Sequence, residues 1–475
     1  MASISSSTQT AIDVPSLVAQ LMVVERQPVE TLNTKISATE ASISSWGSLS
    51  SLLSTFQTAT QTLASSLEKL AASSSDTSAY TAVADSSAIP GSYSVSVSQL
   101  AQAQNLVTAG QASGTAAIGD GAPTTLTFDL GTISGGTLTD GVYSGASFVS
   151  NGDGTASIVI DSSNNTLEGI RDAINAAGIG VVATIVNDGS GTPYRLTLSS
   201  AETGASSSIK ISVSGGDGSI DALLGYDPAG TQNLTQTLAA QNAELTVNGI
   251  PIVSASNTVS EPIQGVTLTL KNVTTTAATL TIDRDIDAIN TAVESFVEAY
   301  NALNAQIKSS SIYGTEDTTA GALSGDSTLR SLQEQLRNVF NTATSGGVLT
   351  QLAEIGISFQ KDGSLAYDST QLEAAIATNF DDVLNLLTSS TGFLTRLDDW
   401  ADSTLDIDGL ISQRTQNLKD KVSDYNDQID LLEIRLEAIE TRYTREYTNL
   451  NLLLGRLNTT STFLSQQLLA QPSSE

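Results

Sequence analysis

The sequence predicts a multidomain α+β protein. A terminal helical coiled coil and a helix-bundle leg are formed by both chain ends, with two β-rich head domains inserted between them. Three observations carry this. Near the C-terminus, Leu418, Val422, Tyr425, Ile429, Leu432, Leu436, Ile439 and Tyr443 alternate steps of four and three. Near the N-terminus, Leu32, Ile36, Thr39, Ile43 and Trp46 begin a similar stripe. Between them the apolar period falls to two, as where Tyr93, Val95 and Val97 alternate with serines. An apolar seam of period 3.5 leaves one helix face exposed until another helix covers it.

After a small, polar start at residues 5–10, Asp13 has the character of an N-cap, with Pro15 and Ser16 in the first turn. Leu17, Val18, Leu21 and Met22 make a compact apolar patch, and Pro28 interrupts the helix. The stripe then resumes through Leu49, Leu53, Phe56, Thr60, Leu63, Leu67 and Leu70, so this helix is expected to end near Ala71.

From Tyr80 the pattern is that of strands, and Leu126, Phe128 and Leu130 repeat it. A small α/β unit follows: a strand at 158–160, then a helix with Leu167, Ile170 and Ile174 on one face and Gly178 as C-cap. Strands at 181–186, 195–198 and 209–213 complete it. Asn248-Gly249, between Leu245/Val247 and Ile250/Ile252, is a strong hairpin signal. Val266, Leu268 and Leu270 lead to a last strand ending at Ile282.

Helix is expected to return at Asp283, with a seam through Ile286, Ile289, Val293, Phe296, Tyr300, Leu303 and Ile307. A helix at 328–340, a hairpin at 355–368 turning at Asp362-Gly363, and helices carrying Leu372/Ile376, Val383/Leu387 and Leu394/Leu397 come next. The terminal seam continues after a four-residue shift through Tyr447, Leu450, Leu454, Leu457, Ser461, Leu464 and Leu468. A helix over 411–468 would be about 87 Å long, more than an ordinary domain covers, so exposed seams and partners are expected.

Composition narrows the function. A chain of 475 residues has room for about three domains at ~150 residues each. The net charge of −30, from 20 Lys+Arg against 50 Asp+Glu, disfavours nucleic acid and anionic membranes, which both recruit clustered cations. Without cysteine there is no disulfide framework, thiolate zinc site or thiol nucleophile; without histidine the commonest general base and metal ligand are gone. The apolar stretch 14–24 follows no basic leader and runs into Glu25-Arg26, so no cleaved signal peptide is expected. No run reaches the ~20 apolar residues of a membrane span.

The remaining constellations favour structural roles. Asp283, Asp285 and Asp287 suit a helix start better than a metal. Asn151-Gly-Asp153-Gly154 and Gly216-Asp217-Gly218 are turn sequences, and Asp406, Asp408 and Gly409 lack the closing Glu of a calcium loop. Asp381/Asp382 and Asp398/Asp399 are helical neighbours that diverge and cannot share a substrate. Tyr143, Tyr194 and Tyr226 are candidate sugar-stacking platforms, with packing as the plainer reading. No catalytic site, metal or cofactor is expected.

Several blocks resemble the flagellar filament-capping (hook-associated protein 2) family. They are Asp13-Val-Pro-Ser-Leu-Val-Ala-Gln-Leu21-Met22 with Glu25 and Gln27-Pro28, then Trp46-Gly47-Ser-Leu49, and Gly91-Ser-Tyr93-Ser-Val95-Ser-Val97 through Gln99-Leu100-Ala101. Further along come Phe296-Val-Glu-Ala-Tyr300-Asn301, Gly325-Asp326-Ser-Thr-Leu329-Arg330, Ile355-Gly356-Ile357 with Asp362-Gly363-Ser-Leu365, and Leu457-Asn458-Thr-Thr-Ser461-Thr-Phe463-Leu464-Ser-Gln-Gln467. Relatives often carry Met where Leu457 stands. The resemblance is weakest over 110–232, where 166–200 looks like a motif shared with flagellins.

This resemblance implies a structural cap at the distal end of the bacterial flagellar filament: an oligomeric ring, most often pentameric, that promotes flagellin folding and insertion. It implies export without a cleaved signal peptide, an extracellular location at the flagellum tip, and a C-terminal segment met by an export chaperone. Flagellin and hook–filament junction proteins are further implied partners. The expected contact residues are Leu17, Leu21 and Met22 at one end, and Leu450, Leu454, Leu457, Phe463 and Leu464 at the other. The expected domains are 1–42 with 430–475, 43–75 with 284–429, 76–115 with 235–283, and 116–234. The alternatives are a glycan-binding surface adhesin, or another axial flagellar protein.

Overall fold

Helices from both chain ends share one hydrophobic core in the computed structural model, which describes residues 13–315 and 318–469. The polar stretch 5–10 lies outside the described residues. Two compact units result, one of residues 1–67 with 286–475 and the other of residues 68–285. The helices, in chain order, are α1 (Val14–Glu25), α2 (Gln27–Ser66), α3 (Leu167–Ala177), α4 (Ser219–Leu224), α5 (Ile286–Ser311), α6 (Ser327–Asn341), α7 (Ser369–Thr388), α8 (Phe393–Leu405) and α9 (Leu410–Leu469).

In the helical unit, α2 buries Trp46, Leu49, Leu53, Phe56 and Leu63 against Ile289, Val293, Phe296 and Leu303 of α5. The Phe56 ring lies 5.2 Å from Phe296 and meets Tyr300 edge-on at 5.9 Å, the offset geometry aromatic quadrupoles favour. Ser45 and Ser310 hydroxyls share a buried hydrogen bond of 2.8 Å, which satisfies two polar groups between the helices. Helices α6, α7 and α8 close the core with Leu332, Val383, Leu386 and Trp400, and the start of α9 adds Ile411 and Leu418.

Asp326 serves two elements at once. One carboxylate oxygen caps α6 by accepting the Thr328 and Leu329 N–H groups; the other accepts from the Arg414 guanidinium of α9 at 2.9 Å. The two short helices read over 369–388 form one element that breaks at Asn379, where φ is −160° and ψ is 87°.

The other unit is built on strands. Its first group is β1 (Leu70–Ser74), β2 (Tyr80–Ala84), β3 (Gly91–Gln99), β4 (Asn105–Thr108), β5 (Thr124–Thr139), β6 (Val142–Ser150) and β7 (Ala156–Ile160). Then come β8 (Val181–Asn187), β9 (Tyr194–Ser200), β10 (Ser208–Gly215), β11 (Leu234–Leu238), β12 (Ala243–Val247), β13 (Ile250–Ser254), β14 (Thr258–Ile263), β15 (Val266–Leu270) and β16 (Ala278–Arg284). Every pairing is antiparallel.

Two cores lie within this unit. The sheets β1-β16-β3-β12-β13 and β14-β15-β2 enclose Tyr80, Val95, Val97, Leu245, Leu268 and Leu280. The sheet β10-β5-β6, with β7 on β5, and the sheet β11-β4-β9-β8 enclose Leu106, Phe128, Ile170, Leu198 and Tyr226 with help from α3 and α4. The alternation of valine and serine in β3 puts Val95 and Val97 inward, as period two requires. Asn248 and Gly249 have φ of 50° and 82°, the left-handed pair that a tight β12–β13 turn demands.

Two boundaries differ from the sequence reading. Helix α2 stops at Ser66 rather than near Ala71, because Leu70–Ser74 pairs with β16 through Leu70↔Arg284 and Ser74↔Leu280. Likewise helix α5 starts at Ile286, since Asp283 belongs to β16. In both cases a partner strand far along the chain takes the backbone bonds that a helix would have used. Strand β6 was missing from the sequence reading because its residues are largely exposed and carry no alternation.

Candidate assembly surface

Both chain ends meet in an antiparallel helix pair. Asp13 caps α1 by accepting the Ser16 N–H at 3.3 Å, and Pro15 fits the first turn, where no donor is needed. The α1 face then buries Val14, Val18 and Met22, and Val29 extends it into α2 after the turn at Arg26. These side chains pack on Leu436 of α9, flanked by the half-buried Ile429, Leu432, Ile439, Tyr443 and Tyr447.

Polar contacts fix the direction. The Lys35 ammonium lies 5.9 Å from the Tyr425 ring, Arg26 pairs with Glu433 at 3.5 Å, and Glu25 accepts the Tyr443 hydroxyl at 2.9 Å. Residue numbers rise on one helix as they fall on the other. The hydrogen bond to Glu25 raises the Tyr443 pKa, because ionising the phenol would set two anions together. Arg26 and Glu433 are both well exposed, so their pair adds little stability.

Beyond Tyr447, α9 continues as a helix to Leu469. Its apolar side chains are open: Leu450 is 41% exposed, Leu457 57%, Phe463 61% and Leu464 53%, with Leu454 half-buried. Leu452 and Leu453 are exposed too, at 61% and 53%, and were missing from the sequence reading. The Leu-Leu-Leu run at 452–454, which departs from the seam spacing, was their signal. Arg456 is the only charge between Tyr447 and Leu469, so this stretch carries a single positive charge in a chain of −30.

The structure therefore treats the expected contact residues differently. Met22 is buried against α9, while Leu17 and Leu21 are half-buried. The five C-terminal residues lie past the paired part of the seam.

Elsewhere the polar groups are absorbed by the fold. Asp217 accepts the Ser219 and Asp120 N–H groups at 2.9 Å each, which holds a loop. Tyr226 is fully buried, so it offers no stacking face; the Tyr143 hydroxyl accepts from Gln236 at 2.9 Å and Tyr194 is half-buried. Among the described residues no group of three or more His, Cys, Asp or Glu side chains is placed to hold a metal, and no helix is long and apolar enough to cross a membrane.

The chain is similar to known proteins along nearly all its length. Residues 10–104 match the family model for the flagellar hook-associated protein 2 N-terminus, and residues 240–459 match that for its C-terminus. The stretch between the two matches holds the core that runs from Leu106 to Leu234. Flagellar hook-associated protein 2 of Escherichia coli O157:H7 is 34% identical over 485 residues, covering 98% of each chain. The B-type flagellar hook-associated protein 2 of Pseudomonas aeruginosa is 34% identical, covering 91% of this chain and 90% of its own. The crystal structure of the D1-D2-D3 domains of the Escherichia coli flagellar cap protein FliD superposes with a TM-score of 0.64 at 36% identity, covering 79% of this chain and 99% of that one. This chain belongs to the flagellar hook-associated protein 2 family.

Proposed function

We propose that this protein is the structural cap at the distal, extracellular tip of a bacterial flagellar filament, where a ring of its copies promotes flagellin folding and insertion. Family membership sets the class of function. The observation that carries the assembly reading is the open apolar face of α9 from Leu450 to Leu464, next to a segment already paired with α1. An exposed seam is covered by association, and here only the single charge of Arg456 opposes it between copies. The interleaved Asn451, Asn458, Thr459, Thr460 and Ser461 keep that contact weak enough to break and re-form as each flagellin is added.

On this reading Leu450, Leu454, Leu457, Phe463 and Leu464 meet partners directly, and Leu17, Leu21 and Met22 shape the same coil. The four-part division into 1–42 with 430–475, 43–75 with 284–429, 76–115 with 235–283 and 116–234 belongs to the same proposal. So do a pentameric ring, contact with hook–filament junction proteins, an export chaperone on the C-terminal segment, and export without a cleaved leader.

Mass photometry of the full-length protein, beside a full-length variant with Leu450, Leu457, Phe463 and Leu464 all changed to Ser, tests this. Rings in the parent that fall to monomers in the variant are expected. Unchanged rings in the variant would remove this face from the subunit interface. A parent that stays monomeric at every concentration would count against ring assembly itself.

A further inference from the structure

We propose that Asn151 is a self-modifying site: the Asn151-Gly152 step converts to aspartate and isoaspartate through a cyclic succinimide, with Ser150 and Asp129 taking the proton. Two Asn-Gly steps occur in the chain, at Asn151 and at Asn248. Glycine in second place leaves its backbone nitrogen free to approach the asparagine side chain, since no Cβ obstructs it.

At Asn151 the groups that would carry the proton lie beside the glycine nitrogen. The residue is exposed just after β6, and Gly152 has φ of 89° with open space where a Cβ would stand. The Asp153 N–H donates to Asn151 Oδ1 at 3.0 Å, which draws electron density from the carbon to be attacked. The Gly152 N–H donates to Ser150 Oγ at 3.5 Å, and the Ser150 hydroxyl donates to Asp129 Oδ1 at 2.7 Å. A nucleophile and a polarised electrophile in the loop after β6 thus adjoin a relay from Ser150 at the end of β6 to the Asp129 carboxylate of β5.

The chemistry balances without a cofactor. The Gly152 nitrogen attacks Asn151 Cγ as its proton moves to Ser150 Oγ, whose own proton moves to Asp129. The tetrahedral adduct then breaks the Cγ–Nδ2 bond, and ammonia departs with the proton returned by Asp129. Water opens the succinimide at either carbonyl, giving aspartate or isoaspartate. The product sets a new carboxylate beside Asp153, which adds like-charge repulsion at the base of the β5–β6 hairpin.

Asn248-Gly249 supplies the internal comparison. The Asn248 N–H donates to Ser94 O at 2.8 Å and its Oδ1 accepts the Ser94 N–H at 2.8 Å, which clamps the β12–β13 turn onto β3. Asn151 is held in a similar way, its N–H donating to Leu130 O at 2.9 Å, so the two steps differ in the Ser150–Asp129 relay at Gly152 and in the paired β12–β13 hairpin that Asn248-Gly249 closes.

The test is peptide mapping by mass spectrometry of the full-length protein held at neutral pH and physiological temperature, with isoaspartate read separately. Asn151 should convert at least about tenfold faster than Asn248, which corresponds to ~1.4 kcal/mol in barrier. Ser150→Ala should slow Asn151 several-fold and leave Asn248 at its parent rate, while Ser150→Thr, which keeps the hydroxyl, should restore the rate. Conversion of Asn248 as fast as Asn151 would overturn the proposal, and so would an unchanged Asn151 rate in Ser150→Ala.

Discussion

The Tyr443 hydroxyl donates to the Glu25 carboxylate at 2.9 Å, joining the two ends of the chain across 418 positions of sequence. This bond sits beside the Val18, Met22 and Leu436 packing and marks where the paired part of α9 gives way to its open part.

The phenol bonded to Glu25 should ionise above the ordinary tyrosine value of about 10. A proton held more tightly in the folded state stabilises it fully below pH ~10, and that contribution is lost as pH rises through the raised value. Ultraviolet difference titration of Glu25→Gln, with Tyr443→Phe as the blank, should show the Tyr443 transition moving down. An unmoved transition would mean that Glu25 does not hold the phenol in solution.

Met22→Ala should loosen the helix pair. Truncating a buried methionine costs about 2–5 kcal/mol, and the low end is expected at this narrow contact. Hydrogen exchange should accelerate in α1 and in the facing stretch of α9, and stay unchanged in α5 and in the β-rich unit. Uniform acceleration through the chain would contradict a local seam.

Phe56→Ala should be far more damaging. Phe56 is fully buried and touches both Phe296 and Tyr300, so about 3–5 kcal/mol should be lost from the helical unit. Denaturant unfolding followed by hydrogen exchange should show α2 and α5 protection falling together, with β3 and β12 protection retained.

Acid should separate Asp188 from ordinary carboxylates. The Arg195 guanidinium beside it, helped by Ser190, lowers its pKa from 3.8 to about 2. A depressed value stabilises the fold above pH 3.8, and that contribution disappears as pH falls from there through about 2. In Arg195→Gln, carboxyl NMR should find the Asp188 titration shifted back upward.

Much of the fold was legible because its signals are local. Gly178 closes α3 in the left-handed region at φ 58°, and Asn248-Gly249 closes its hairpin, since few other residues tolerate those angles. Two blocks noticed separately for their family resemblance turn out to touch. Tyr300 donates to Gly363 O at 3.1 Å, and the Asn301 amide brackets Leu365 with bonds of 2.7 and 2.9 Å. That contact spans α5 and the hairpin of β17 (Ile357–Phe359) and β18 (Leu365–Tyr367), and no periodicity announces it.

By itself the sequence determined the helical ends, the strand-patterned middle and the tight turns, because each depends on side-chain spacing or backbone angles within a few residues. Only the tertiary structure decided which stretch of a uniform seam is covered. Leu436 and Leu457 share one rhythm, yet Leu436 is 4% exposed and Leu457 57%. The difference is the position of α1, which lies alongside the first and leaves the second open. Tertiary pairing likewise drew Leu70 out of the helical stripe into β1, and burial removed Tyr226 from the surface. Both outcomes depend on partners far along the chain, and a local pattern carries no record of them.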